Sequence, residues 1–205
     1  MHFEKGHMYH IYNHGNNRQK IFFKKENYHF FLGKLKTYIL PYTDILAWCL
    51  MSNHFHVMVY INNVELVVDE NGFTHQVTDS HLMGKTRTLN QSIAILLRSY
   101  TRAINKQNDW SGSLFRAKTK ASCLDCSIIT SPPYYIENGS TLIHIPHVKT
   151  EYPQICFDYI HANPTKAGLV NHDEKWEFSS AKDFAGKRNG TLINKTKALK
   201  LIQRG

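Results

Sequence analysis

Residues 8–14 (MYHIYNH) have the aromatic and β-branched content of a strand, and Gly15-Asn16-Asn17 ends it. From Glu26 the period changes. Tyr28, Phe31, Leu32, Leu35, Tyr38 and Ile39 recur at helical spacing until Pro41 stops the run. Residues 44–50 and 54–61 read as two strands joined by a tight turn at Met51-Ser52-Asn53. Residues 62–87 are polar and rich in Asn, Asp and Gly around the apolar piece Val64 to Val68, a pattern for a loop or projecting hairpin. Thr88 and Gln91 form a capping-box signature for the next helix. Leu89, Ile93, Leu96, Leu97, Tyr100, Ala103 and Ile104 line one face of that helix, and Arg98, Arg102 and Lys106 form a basic stripe on another. Residues 113–124 can return as a strand. Pro132-Pro133, Asn138-Gly139 and Pro146 make 125–150 mostly loop, a last helix covers 151–163, and a polar, basic tail closes the chain from about residue 185. The order strand, helix, strand, strand, helix, strand, helix predicts an α+β fold: a ferredoxin-like antiparallel sheet with helices packed on one face.

The 205 residues fit one ordinary domain, and 42% hydrophobic content supplies a core. Twenty-five Lys and Arg against 16 Asp and Glu leave a net charge of +9, which favours a polyanionic partner. The apolar runs are too short for a membrane helix, and the N-terminus lacks the apolar core of a signal peptide. The expectation is therefore a soluble, cytoplasmic protein. Four cysteines are too few to staple a secreted fold of this length. Cys123-x2-Cys126 followed by His144-x2-His147 resembles a zinc site, although the histidine spacing is shorter than usual.

Alternate residues of a strand face one side, so His54, His56, Met58 and Tyr60 share one face while Phe55, Val57, Val59 and Ile61 share the other. The second set should pack on the helices. The first begins with two imidazoles close enough to hold one cation, although a pair of surface histidines on a half-exposed strand fits the same pattern. In the segment 157–170, Tyr159 and Asn163 stand at i and i+4, so phenol and amide project from one helical face. An amide oxygen completes a mixed nitrogen/oxygen metal site, and a phenol beside it is placed to attack a phosphate. The plainer alternative is a helix C-terminus, with Tyr159 packed and Asn163-Pro164 ending the helix.

Three stretches together resemble the single-tyrosine HUH transposases, in particular the branch associated with repetitive extragenic palindromes (REP). They are residues 9–22, beginning Tyr9-His10-Ile11-Tyr12; residues 47–57, containing His54-Phe55-His56; and Tyr159-Ile160-His161-Ala162-Asn163-Pro164, running into Ala167-Gly168-Leu169-Val170. Trp176 and Phe178-Ser179-Ser180 follow the third stretch. Between them, the family's Gly- and Arg-rich stretch is matched only by Gly112, Phe115 and Arg116.

The resemblance implies a catalytic domain over residues 1–184, with inserted loops at about 62–87 and 125–150, that cuts and rejoins single-stranded DNA next to a hairpin. It assigns the metal ligands to His54, His56 and Asn163, the nucleophile to Tyr159 and the ion to Mg²⁺ or Mn²⁺. Its expected product is a 5′-phosphotyrosine, its expected partner DNA with REP-like palindromes, and its setting the nucleoid. It leaves a homodimer open. Arg18, Lys20, Arg98, Arg102, Lys106 and Arg116 are the expected DNA-binding residues, and His161 is a further candidate for proton transfer. Two readings compete with this one: a catalytically idle hairpin DNA- or RNA-binding protein of the same fold, and a zinc-dependent binding module on Cys123, Cys126, His144 and His147.

Overall fold

The computed structural model describes residues 1–69, 74–75, 85–126, 134–137, 140–143 and 151–202. In chain order the elements are β1 (Met8–His14), α1 (Lys25–Tyr38), β2 (Thr43–Met51), β3 (His54–Ile61), β4 (Glu65–Val68), β5 (Thr74–His75) and β6 (Lys85–Thr88). After these come α2 (Leu89–Asn108), β7 (Lys120–Cys123), β8 (Tyr134–Glu137), β9 (Ser140–Ile143), α3 (Glu151–Lys166), α4 (Ala181–Phe184) and α5 (Lys195–Ile202). The main sheet has the order β2-β3-β1-β7, and every neighbouring pair is antiparallel. With α1 and α2 as crossovers this is the expected ferredoxin-like α+β topology.

Each element forms for a local reason. Asn27 Oδ1 accepts the N–H groups of Phe23 and Lys24 at 3.1 Å and so caps the start of α1. The capping box of α2 is in place: Gln91 N–H donates to Thr88 Oγ1 at 3.2 Å, and Thr88 N–H donates to Gln91 Oε1 at 2.8 Å. Phe31 and Leu35 of α1, with Ile93, Leu96, Tyr100 and Ile104 of α2, bury against Tyr9, Ile11, Phe55, Val57, Val59 and Ile61 of the sheet. Phe22 stacks on Tyr28 at 4.4 Å, and Tyr28 stacks on Phe178 at 3.8 Å.

The other sheet face is covered as well. Met8, Ala47, Cys49, Met51 and Met58 are too apolar to face water, and Tyr152, Cys156 and Ile160 of α3 close over them with Ala198 and Ile202 of α5. Helix α3 runs through Pro164 to Lys166, three residues past its expected end. It stops where Gly168 takes a positive φ of 69° and Leu169 N–H reaches the Pro164 carbonyl at 2.9 Å. The expected C-terminal tail contains α5, because Ala198, Leu201 and Ile202 recur at helical spacing and find this second core.

Of the strand expected over 113–124, only Lys120–Cys123 enters the ladder with β1. Asn13 Nδ2 instead donates to the Arg116 carbonyl at 3.1 Å and to Thr119 Oγ1 at 2.9 Å, which holds the preceding residues off register. Within 62–88, β5, β4 and β6 form a small three-stranded sheet in that order. Within the expected loop 125–150, β8 pairs with β9, and these β-prone segments flank Asn138-Gly139 in the sequence.

Residues 176–190 run along the outer edge of β2. Leu50 N–H donates to the Phe178 carbonyl and Ser180 N–H to the Trp48 carbonyl, both at 2.9 Å. Buried Asp183 holds this segment: it accepts from Arg188 Nη2 at 2.6 Å, Arg188 Nε at 2.9 Å and Gly190 N–H at 2.9 Å. Its side chain is 4% exposed, whereas that of Arg188 is 30% exposed, so solvent screens part of the pair. Asp183→Ala is expected to lower stability by about 2 kcal/mol in urea denaturation, while Asp183→Ser, which keeps a short acceptor, loses less.

Candidate metal and nucleophile site

The pairing register of β1 with β3 sets the site. His14 lies opposite His54, Tyr12 opposite His56 and His10 opposite Met58. Side chains opposite one another share a face, so His10, Tyr12 and His14 join His54 and His56 on the α3 side of the sheet. The rings pack together: His14 on His54 at 4.8 Å, His10 on Tyr12 at 4.8 Å and His10 on His56 at 5.0 Å. Gly15 then turns the chain, because a Cβ at this position would overlap the Gln19 carbonyl oxygen.

A hydrogen bond fixes which nitrogen of His54 is available. His54 Nδ1 lies 2.6 Å from Asn53 Oδ1. A carboxamide oxygen only accepts, so His54 donates there and its Nε2 carries the lone pair. His56 Nδ1 is 2.8 Å from His10 Nε2, and His56 Nε2 is buried with no hydrogen-bond partner among the described residues.

Helix α3 brings the amide and the phenol to the same place. Asn163 Nδ2 donates to the Tyr159 carbonyl at 2.9 Å, which leaves Oδ1 directed at His54 Nε2, 3.4 Å away. Two acceptors therefore face each other, and the neighbouring His56 ring, 5.0 Å from that of His54, carries the buried, unpartnered Nε2. A cation satisfies that arrangement, whereas a neutral hydrogen-bond network leaves it unmatched. The Tyr159 ring lies 5.3 Å from His56 and 6.3 Å from His10. A single chain supplies all four groups.

Burial governs the titration of the cluster. It pushes His10 down to about 3 and His54 down to about 4, the latter with a smaller push from His14. It holds His56 well below the usual imidazole range, aided by the neighbouring His10, His54 and His14. At neutral pH these rings are neutral, the form that ligates metal. Burial also raises the Tyr159 phenol, and a hydrogen bond with Asn163 partly offsets the rise.

Cations rim the cluster. His14 is lowered first by burial and then by Arg116, Lys120 and Arg18, which places those three charges around it. Arg116 is tied in directly, since its N–H donates to the His14 carbonyl at 2.9 Å. Lys20 is exposed in the loop just beyond Arg18. Arg98, Arg102 and Lys106 are exposed on α2, which packs on the opposite face of the sheet from the histidines. His161 points away from Tyr159: its Nε2 is 2.7 Å from Ser180 Oγ, and its ring packs against Phe157 at 4.3 Å.

Sequence reasoning missed His10, His14, Asn53 and Lys120. The alternation His10-x-Tyr12-x-His14 was the available signal for the two histidines. Of the zinc reading, His144 and His147 lie outside the described residues.

Comparison with known proteins adds one finding. No family model matches the chain, and no curated protein matches it. The fold is similar to that of a REP-associated tyrosine transposase solved bound to a REP hairpin. The TM-score is 0.53 at 14% identity, over 90% of this chain and 83% of that one. Such a likeness establishes the α+β fold. Among the described residues no helix is long and apolar enough to cross a membrane.

The buried imidazoles predict a pH dependence of stability. His161 is pushed down to about 4 by burial, so the unfolded chain takes up its proton near pH 6.5 while the folded chain stays neutral. The stability from keeping this ring neutral is complete above about pH 6.5 and is lost as pH falls toward 4, at up to about 1.4 kcal/mol per pH unit. His161→Gln is expected to flatten the fall of the urea midpoint over that window. An unchanged slope would mean that the folded-state ring titrates at its ordinary value.

Proposed function

We propose that this protein cuts and rejoins single-stranded DNA beside a hairpin, with Tyr159 as the nucleophile. The observation that carries the reading is the facing of two acceptors, His54 Nε2 and Asn163 Oδ1, beside the unpartnered His56 Nε2 and the Tyr159 ring. A divalent cation held by these three atoms, Mg²⁺ or Mn²⁺, would act as a Lewis acid on the scissile phosphate, a role worth several kcal/mol. Imidazole suits Mn²⁺ better than Mg²⁺, so Mn²⁺ is the better ion for an assay.

The residues of the chain account for the remaining requirements. Tyr159 oxygen forms a bond to phosphorus as the bond to the 3′ oxygen breaks. The 5′ side is left as a phosphotyrosine, and the 3′ oxygen leaves with a proton. One ester replaces another, so the step reverses without nucleotide hydrolysis and can join a different strand. Deprotonating an ordinary phenol at pH 7 costs about 4 kcal/mol, and burial of Tyr159 adds to that. Ionisation therefore belongs to the assembled complex with substrate. Arg18, Arg116 and Lys120 sit where they can neutralise phosphates of a strand entering over His14. Lys20 extends that path. Arg98, Arg102 and Lys106 would meet DNA only where it wraps to the far side of the sheet.

His10 is a positioning residue in this reading. A metal on His56 Nε2 puts the proton on Nδ1, so His56 donates to His10 Nε2 and the ring is held toward the site.

Two predictions follow from the chemistry. Tyr159→Phe should bind a hairpin-bearing oligonucleotide with unchanged affinity and give none of the denaturation-resistant protein–DNA adduct formed by wild type with Mn²⁺. Lack of an adduct from wild type on any hairpin substrate would leave a DNA- or RNA-hairpin binder without catalysis. His10→Ala should raise the Mn²⁺ concentration for half-maximal adduct formation by about 10- to 100-fold. His10→Gln, which keeps an acceptor, should recover part of that loss.

A further inference from the structure

A second cluster of ligand-type side chains lies apart from the histidines. His7 stands just before β1, Cys123 ends β7, and Asp125 and Cys126 follow it. The antiparallel ladder places Tyr9 opposite Cys123, so the chain entering β1 passes beside the chain leaving β7. One ligand atom from each of His7, Cys123, Asp125 and Cys126 lies within 4.8 Å of the others, and all four residues are partly exposed. Asp125 Oδ1 accepts Met8 N–H at 2.9 Å, lies 3.2 Å from His7 Nδ1 and is 3.6 Å from Cys123 Sγ. Cys123 and Cys126 form a disulfide in the structure. Both pack against the core on the α1/α2 side, opposite the face that carries His54 and His56.

We infer that, with the cysteine pair reduced, His7, Cys123, Asp125 and Cys126 bind a zinc ion in a closed structural site. The donor set carries the assignment. Two thiolates on a Cys-x2-Cys spacing, an imidazole and a carboxylate make four ligands of the types zinc takes, whereas Mg²⁺ and Ca²⁺ avoid sulfur. The Met8 N–H bond already fixes the Asp125 carboxylate, and His7 already faces it, so the ion would meet a largely arranged pair. The chemistry balances simply. A dithiol reductant supplies two electrons and two protons to open the disulfide and is itself oxidised to a disulfide. Zinc then displaces the two thiol protons to solvent, with no change in its own oxidation state. The ion would tie the chain before β1 to the chain after β7, where the polypeptide enters the stretch containing β8 and β9. This ligand set differs from the one read in the sequence, since His7 takes the place given to His144 and His147, and it does not depend on the proposed activity.

The test uses the full chain, reduced with a phosphine and stripped with a chelator, then titrated with Co²⁺ and Zn²⁺. Wild type should give one equivalent of tetrahedral Co²⁺ with a thiolate-to-metal charge-transfer band that Zn²⁺ displaces. That band should persist in the His54→Ala/His56→Ala variant and vanish in Cys123→Ser/Cys126→Ser. His7→Ala should weaken Zn²⁺ by about tenfold or more. A disulfide that stays closed in a glutathione buffer of cytoplasmic poise would overturn the inference. So would Co²⁺ binding without the thiolate band, or equal affinity in the His7 variant.

Discussion

The antiparallel register between β1 and β3 is the constraint on which the site depends. It sets His14 opposite His54 and Tyr12 opposite His56, while the separate register of β2 with β3 sets Cys49 opposite His56. A slip of one residue would turn the slipped strand's side chains to the face occupied by α1 and α2. The slip is resisted from both sides. Phe55, Val57, Val59 and Ile61 are claimed by the first core, and Met8 and Met58 by the second. Hydrophobic packing at the apolar end of the sheet thus fixes the polar end.

That arrangement carries a cost that the protein does not relieve internally. Imidazoles are buried together, with cations close to His14, so protonating any of them is disfavoured, and the acceptors of His54 and Asn163 face each other with no donor between them among the described residues. Hydrogen bonds to fixed neighbours keep the cluster from relaxing. His54 is held by Asn53, His56 by His10 and Asn163 by the Tyr159 carbonyl. Each restraint comes from a neighbour whose own position the sheet or helix already determines. The cluster is rigid because its supports are.

Much of this was legible in the residues, and the rest was hidden for physical reasons. Alternation in 54–61 separates a ligand face from a packing face, and the Thr88–Gln91 pair marks where α2 begins. The i, i+4 relation of Tyr159 and Asn163 survives because α3 continues through Pro164, an outcome that local preference for a break argues against. The part played by His10 depends on which strand lies beside β3 and in what register, which no local pattern encodes. The second covering layer was missed because Ala47 and Cys49 belong to one strand reading and Met58 to another, and they become one surface only when the sheet forms. The α2 stripe shows the converse. Its spacing was read correctly, yet spacing on one helix says nothing about which side of the sheet that helix occupies.

The segment through Phe178 and Ser180 bears on how copies of the chain can meet. By taking up the outward main-chain groups of Trp48 and Leu50, it blunts one border of the sheet against strand-to-strand addition. Strand addition at that border would first have to displace this segment.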